Sequence, residues 1–161
     1  VLYVSTHQYP FYPGTGDLHD RGEGPGVGAT VNVPLSDDAN DAVYAQAMEG
    51  VVVPALTTFR PDLVLISAGF DAFINDPLAG MAVTPEGFAF IVSSIARAAD
   101  GLNAPVGMVL EGGYDLAGLE SCMRASARAL MGEPARDPRG HPLSRRHRHD
   151  IELAASAMVG G

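Results

Sequence analysis

The sequence predicts an α/β fold in which a parallel sheet is flanked by helices. Residues 63–66 form an unbroken apolar run, which suits a strand buried on both faces of such a sheet. Strand patterns alternate with helical patterns along the chain, as in βαβ units. The 161 residues, 47% of them hydrophobic and 18% charged, are enough for one soluble domain with a core of its own.

Four stretches have the composition of strands, and three of them lead into turns with small or polar residues. The strands are predicted at residues 1–6, 31–35, 62–67 and 106–110. Right-handed crossovers bring the carboxyl ends of parallel strands to one edge of a sheet. The turns at residues 5–7, 69–71 and 111–114 are therefore expected to converge, at the edge where open α/β sheets bind their ligands.

Apolar residues at helical spacing predict three helices, over residues 41–59, 85–99 and 115–131. Pro54 lies inside the first helix and should kink or break it, because proline has no N–H and clashes with the preceding turn. Thr84 and Pro85 have the pattern of an N-cap and a first-turn proline, which fixes the start of the second helix. Gly132 is expected to stop the third helix.

Two segments have no regular periodicity. Residues 7–30 are rich in glycine and proline, and their aromatic residues, such as Phe11 and Tyr12, favour a packed loop of the binding type. Residues 135–161 are predicted to form a basic, disordered tail, because arginine, histidine and proline follow one another there without a pattern. Within this tail, a short helix is expected at residues 151–158.

Charge and composition exclude several classes of function. The net charge is −9, all ten cations are arginine and half of them lie in the tail, so the body is acidic and no direct nucleic-acid partner is expected. Such a surface suits cationic substrates, such as basic peptides or polyamines; the alternative is a merely solubilising surface. No apolar run reaches the ~20 residues of a membrane span. The single cysteine, Cys122, allows no internal disulfide, which indicates a reducing, cytoplasmic compartment.

Three residues at the expected edge are candidates for chemistry. Asp71 follows a strand and is either a metal ligand or catalytic group, or a residue that caps the turn. Tyr114 follows two glycines, and its protonated phenol can donate a hydrogen bond to a developing oxyanion; the alternative is a ring packed against the protein. His7 is interpreted as a residue that fixes its loop rather than as a ligand.

Several motifs resemble those of a known enzyme family. They lie at residues 4–8, 11–16 and 31–34, then at 67–72 with 76–78, and finally at 110–114 (Leu-Glu-Gly-Gly-Tyr). In this order they resemble the motifs of the zinc-dependent histone deacetylases and acetylpolyamine amidohydrolases. The residues within the motifs are most similar to those of the class II and bacterial branch. The resemblance covers residues 1 to about 131, and the set of motifs is far more specific than any one of them.

The resemblance implies an arginase/deacetylase-like three-layer sandwich, present here in part, and zinc-dependent hydrolysis of acetyl-amide bonds on acetyl-lysine or acetylpolyamine. It implies that Asp71 binds zinc and that Tyr114 is the catalytic donor to the acetyl carbonyl. The residues that match the narrow substrate channel are Tyr12, Leu78, Gly112 and Gly113. The residues that match positions around a structural monovalent cation, such as K⁺, are Ser5 and Thr6.

The sequence also departs from the family pattern. In the family, an Asp-x-His pair of zinc ligands lies just upstream of a segment like residues 1–4, and a His-His pair that acts as general base lies further upstream; neither falls within this chain. Residues 1–134 are therefore expected to be the C-terminal part of a deacetylase domain. The isolated chain is expected to be inactive, to bind zinc weakly, and to expose an apolar edge and face that favour self-association as a homo-oligomer.

Two alternatives remain open at this point. A ureohydrolase-type enzyme of the same fold would hold two manganese ions on several Asp residues, and Asp71 has no second Asp two or four residues away. A non-catalytic scaffold could keep the fold without the site, although the presence of both Asp71 and Tyr114 weighs against it.

Overall fold

The computed structural model describes residues 1–159 and alternates strands with helices along the chain. The strands are β1 (Tyr3–Gln8), β2 (Thr30–Leu35), β3 (Val64–Ala68) and β4 (Val106–Leu110). The helices are α1 (Asp41–Ala47), α2 (Val53–Phe59), α3 (Pro85–Asp100), α4 (Leu116–Leu130) and α5 (Arg145–Val159), with a π-helical turn at Met48–Val52 and a 3-10 turn at Gly24–Gly26. In this part of the chain no helix is both long and apolar enough to span a membrane.

The strands pair in parallel, as predicted, but they form two separate pairs. In the first pair, Tyr3 of β1 lies opposite Thr30 of β2. In the second pair, Val64 of β3 lies opposite Val106 of β4. Among the described residues no ladder joins the two pairs. Val4 of β1 nevertheless packs against the apolar cluster that contains Val64, with Val106 also against it, so the two pairs share part of one core.

The β3–β4 pair is buried on one face only. Val64 packs in a cluster with Ile95 and Ala99 of α3. On the opposite face the side chains of Leu65 and Val109 are 66% and 53% exposed. The prediction of burial on both faces is therefore wrong for residues 1–159, because no element among them covers the second face. The expected exposed apolar face is confirmed, and self-association through it stays a prediction.

The helix predicted over residues 41–59 is interrupted, as Pro54 suggested, but the interruption comes before the proline. The chain passes through five residues of π-helix, Met48–Val52, and Pro54 then lies in the first turn of α2. A first-turn position is tolerant of proline because the missing N–H would have no partner inside the helix. The wider π turn thus accommodates a residue that a continuous α-helix would not.

The predicted N-cap at Thr84 and the predicted helix stop at Gly132 are confirmed. The hydroxyl of Thr84 accepts a hydrogen bond from the N–H of Gly87 and caps α3. Asp115 caps α4 in the same way, with Gly118 as the donor. Gly132 follows α4 at φ +93°, a conformation that favours glycine. Because Asp115 fixes the first turn of α4, it also fixes where the preceding residue, Tyr114, leaves the β4 turn.

The tail predicted to be disordered contains a well-packed helix, which includes the short helix expected at residues 151–158 but begins earlier, at Arg145. In α5 (Arg145–Val159), Ile151 and Ala154 are buried in the main core. His147 is also buried, and its Nε2 donates to the carbonyl of Asp37 at 2.9 Å. Arg146 forms an ion pair with the carboxylate of the same residue at 2.7 Å. The partners of α5 lie about a hundred residues earlier, so no local pattern could reveal them. The predicted boundary at residue 134, between the domain and the tail, stays a prediction. Residues 160–161 lie outside the described part of the chain.

Candidate active site

The turns after β3 and β4 meet, as the sequence predicted. The N–H of Glu111 donates to the carbonyl of Ala68 at 3.0 Å, which continues the β3–β4 ladder past the ends of both strands. One step further, the N–H of Phe70 donates to the carbonyl of Gly112 at 2.8 Å. The loop that carries Asp71 and the loop that carries Tyr114 therefore share one rim.

Asp71 lies at this rim with its carboxylate against two glycines. A Cβ atom added at Gly112 would lie 3.1 Å from Oδ2, and one added at Gly69 would lie 3.3 Å from Oδ1. Larger residues at either position would crowd the carboxylate, so the glycines leave room for it and for a ligand beside it. Partial burial raises the pKa of Asp71, and the negative charge of Asp76 raises it further.

Tyr114 is presented to solvent rather than packed into the protein. Its side chain is 56% exposed, which disfavours the packed-ring alternative. Gly113 precedes it at φ +128°, and a Cβ atom there would lie 3.0 Å from Cβ of Phe70 and 3.1 Å from a methyl group of Leu119. Only glycine fits this position without strain, so the tight passage between the two loops requires it. The phenol thus stands at the rim on a closely packed backbone.

Leu78 belongs to the same rim through the long loop that follows β3. Its N–H donates to Oδ1 of Asp76 at 2.9 Å. Further along this loop, the N–H of Gly80 donates to the side chain of Gln8, the last residue of β1, at 2.9 Å. The carbonyl of Gly80 accepts from the N–H of Asp38 at 2.7 Å. The end of β1, at Gln8, and the loop that carries Leu78 are thereby tied together. The prediction of a turn at residues 5–7 is wrong, because these residues lie within β1, so only the turns at 69–71 and 111–114 are joined as predicted.

The long loop that follows β1 is fixed by His7. Its Nε2 donates to the carbonyl of Gly16 at 2.9 Å, and its Nδ1 accepts from the hydroxyl of Ser5 at 2.9 Å. With both ring nitrogens engaged, His7 is a loop-fixing residue, as interpreted from the sequence. Tyr12 lies within this loop, and its side chain is 91% exposed. No hydrogen bond among the described residues joins Tyr12 to Asp71 or Tyr114, and its place in a channel stays a prediction.

Replacing His7 with glutamine is expected to flatten the pH dependence of folding stability. Burial lowers the pKa of His7 below its usual 6.5, and the hydrogen bond to Gly16 only partly opposes this. The unfolded chain therefore binds the proton more readily than the folded chain. The contribution of His7 to the free energy of unfolding thus has its full value above pH 6.5 and is lost as the pH falls below 6.5. Urea denaturation of wild type and His7→Gln from about pH 8 to about pH 5 measures the difference. Equal slopes for the two proteins would contradict the assignment.

Ser5 and Thr6, which resemble positions around a monovalent cation, lie in β1. The hydroxyl of Ser5 is hydrogen-bonded to His7, and Thr6 lies opposite Val33 in the parallel ladder. A cation site at these two residues stays a prediction.

Sequence reasoning missed two residues near the rim. Asp76 is a buried carboxylate that accepts hydrogen bonds from Leu78 and from the N–H of Tyr114, yet in the sequence it is only one member of a motif. Tyr44 of α1 is also buried; burial raises its pKa, and the negative charge of Asp71 raises it further. The sequence signal for Tyr44 was only its position near the apolar stripe of a helix.

The residues of this rim offer a metal one ligand and do not form a complete metal site. Among the described residues, no group of three or more His, Cys, Asp or Glu side chains is arranged to hold an ion. Asp71 fits zinc as a single oxygen donor, since its carboxylate faces small residues at the rim. Asp76 is buried, and its two oxygens accept the backbone N–H groups of Leu78 and Tyr114.

Comparisons with known proteins agree with this fold. The sequence matches the histone deacetylase domain family over residues 1–130. It is 40% identical over 136 residues to the rice protein "Histone deacetylase 10, chloroplastic", covering 84% of this chain and 31% of that protein. The structure is similar to that of the HDA15 HD domain, with a TM-score of 0.86 and 33% identity over 98% of this chain and 43% of that one. It is also similar to the histone deacetylase Clr3, with a TM-score of 0.88 and 36% identity over 98% of this chain and 27% of that one.

The chain thus spans less than half the length of these relatives. The structural similarity covers nearly all of the chain, so it extends past residue 130 into α5. The parallel strands, the flanking helices and these matches agree on one fold. The chain belongs to the histone deacetylase family and has its arginase/deacetylase-like α/β fold.

Proposed function

We propose that the full-length protein containing this chain hydrolyses the acetyl-amide bond of acetyl-lysine or acetylpolyamine, and that it uses zinc. The observation that carries the proposal is that a hydrogen bond between Phe70 and Gly112 joins the loops that carry Asp71 and Tyr114 at one edge of the fold. A candidate metal ligand and a candidate oxyanion donor are thereby held by one backbone framework. Membership of the deacetylase family supports the same reaction.

In this proposal, Asp71 supplies one oxygen ligand to the zinc, and the other ligands come from outside the described residues. When bound, zinc supplies Lewis acidity that polarises an acyl carbonyl and activates water. The hydroxyl of Tyr114 donates a hydrogen bond to the acetyl oxygen and stabilises the negative charge that develops there. Its exposed position on a constrained backbone suits a donor that must meet an incoming substrate.

Four residues are proposed to line the channel for the alkyl stem of the substrate. They are Tyr12, Leu78, Gly112 and Gly113. Exposed apolar side chains suit methylene groups, and the glycines leave space beside the carboxylate. The net charge of −9 favours the approach of a cationic peptide or polyamine. A cytoplasmic location and a structural K⁺ at Ser5 and Thr6 belong to the same proposal and rest on the sequence alone.

The 161-residue chain by itself is proposed to be inactive and to bind zinc weakly. Asp71 supplies a single ligand, whereas a catalytic zinc site uses three protein ligands. A binuclear manganese site is not favoured. Asp71 has no second Asp two or four residues away, and among the described residues no group of three or more His, Cys, Asp or Glu side chains is arranged to hold an ion.

The test is acetate release by the purified full-length protein from two substrates, an acetyl-lysine peptide and N-acetylputrescine. We expect hydrolysis of at least one, abolished by a zinc chelator and restored by added zinc. The isolated chain, assayed in parallel, should release no acetate. Absence of acetate release by zinc-loaded full-length protein from both substrates would refute the proposal.

A further inference from the structure

Asp76 joins two parts of the rim that lie far apart in sequence. It lies in the loop between β3 and α3, and only 7% of its surface is exposed. Its Oδ1 accepts from the N–H of Leu78 at 2.9 Å, and its Oδ2 accepts from the N–H of Tyr114 at 2.7 Å. One carboxylate thus holds the backbone of both residues.

The two hydrogen bonds that Asp76 accepts differ in kind: one is local and the other is long-range. An Asp that bonds the N–H two residues later is a common local turn, so the bond to Leu78 needs no functional reason. The bond to Tyr114 spans 38 residues and crosses between the two loops. Burying a carboxylate is costly. Among the described residues no salt bridge pairs Asp76 with a cationic side chain that would offset this cost.

The tether acts on the residue that directly follows Gly113. Gly113 precedes it in a conformation open to glycine, and glycine has the greatest backbone freedom of all residues. The hydrogen bond from the N–H of Tyr114 to Asp76 restricts this freedom at the next residue. Without it, the phenol would sample a wider range of positions at the rim, and a catalytic donor loses effect when it is displaced by about 1 Å.

We infer that Asp76 is a positioning residue that sets the spacing between the Tyr114 phenol and Leu78, and so aligns the oxyanion donor with the wall of the substrate channel. The inference rests on the proposed function, because the roles of both tethered residues come from it. Asparagine cannot replace Asp76 fully, since it offers one acceptor oxygen where two N–H groups must be met.

The experiment is a double-mutant cycle in the zinc-loaded full-length protein. We expect Asp76→Asn to lower kcat by about 30-fold with a smaller change in KM, because the donor is misplaced rather than removed. In the Tyr114→Phe background the same substitution should lower kcat by less than about 3-fold, since no phenol remains to be positioned. Asp62→Asn is the matched control, because Asp62 is an exposed aspartate just before β3, and it should leave kcat unchanged.

Equal factors in both backgrounds would overturn the inference and leave Asp76 with a purely structural role. Amide hydrogen exchange provides a test that needs no variant. In the wild type, the N–H groups of Leu78 and Tyr114 should both be protected, and free exchange of the Tyr114 amide would overturn the tether directly. Acetate release by the wild type separates the two hypotheses: its absence refutes the proposed function, whereas its presence with full activity in Asp76→Asn refutes only the role of Asp76.

Discussion

Replacing Tyr114 with phenylalanine is expected to lower kcat of the full-length protein by about 10²–10³-fold, the usual cost of removing one oxyanion donor. The ring is more than half exposed and its backbone is fixed by Asp76, so loss of the hydroxyl should leave the packing of the rim unchanged. KM should change little, because the hydrogen bond to the acetyl oxygen strengthens mainly in the transition state.

Steady-state kinetics with an acetyl-lysine peptide measures this effect. Tyr3→Phe is the matched control, since Tyr3 is an exposed tyrosine on β1, and its activity should equal that of the wild type. The melting temperatures of both variants should match the wild type. A Tyr114→Phe variant with undiminished kcat would show that the phenol has no part in the reaction.

Replacing Asp71 with asparagine is expected to remove zinc binding and with it the activity. Asparagine keeps the shape of the side chain but loses the charge that zinc requires of its oxygen donor. The affinity for zinc should fall by more than about 100-fold, because even the loss of a group that merely orients a ligand costs about 10–100-fold. Excess zinc should restore little of the rate.

Zinc content after dialysis, measured by atomic absorption, checks this prediction together with acetate release. Asp62→Asn carries the same change of charge at an exposed position and should keep its metal. An Asp71→Asn protein that holds one zinc per chain and remains active would remove Asp71 from the metal site.

The features that could be predicted from the sequence depend on neighbours close along the chain. Thr84 as an N-cap and Gly132 as a helix stop are set within one turn of helix, and the structure confirms both. The convergence of the Asp71 and Tyr114 turns could also be predicted, because parallel strands leave little freedom in where their carboxyl ends lie. The place where the two candidate residues meet could therefore be predicted from topology and motif together.

The features that the sequence did not reveal depend on partners far along the chain. Helix α5 docks through His147 and Arg146 on Asp37, about 110 residues earlier, and its polar first half gives no apolar stripe to detect. The tether from Asp76 to Tyr114 is of the same kind. The exposure of Leu65 could not be predicted for a different reason. An apolar run predicts burial, but no element among the described residues covers this face of the strand.

The most direct test of the central claim is a crystal structure of the full-length protein with zinc and a ketone analogue of acetyl-lysine. The account predicts that a carboxylate oxygen of Asp71 binds the zinc and that the Tyr114 hydroxyl lies about 2.7–3.1 Å from the oxygen of the analogue. A zinc held without Asp71, or a Tyr114 hydroxyl out of hydrogen-bonding reach of the ligand, would contradict it.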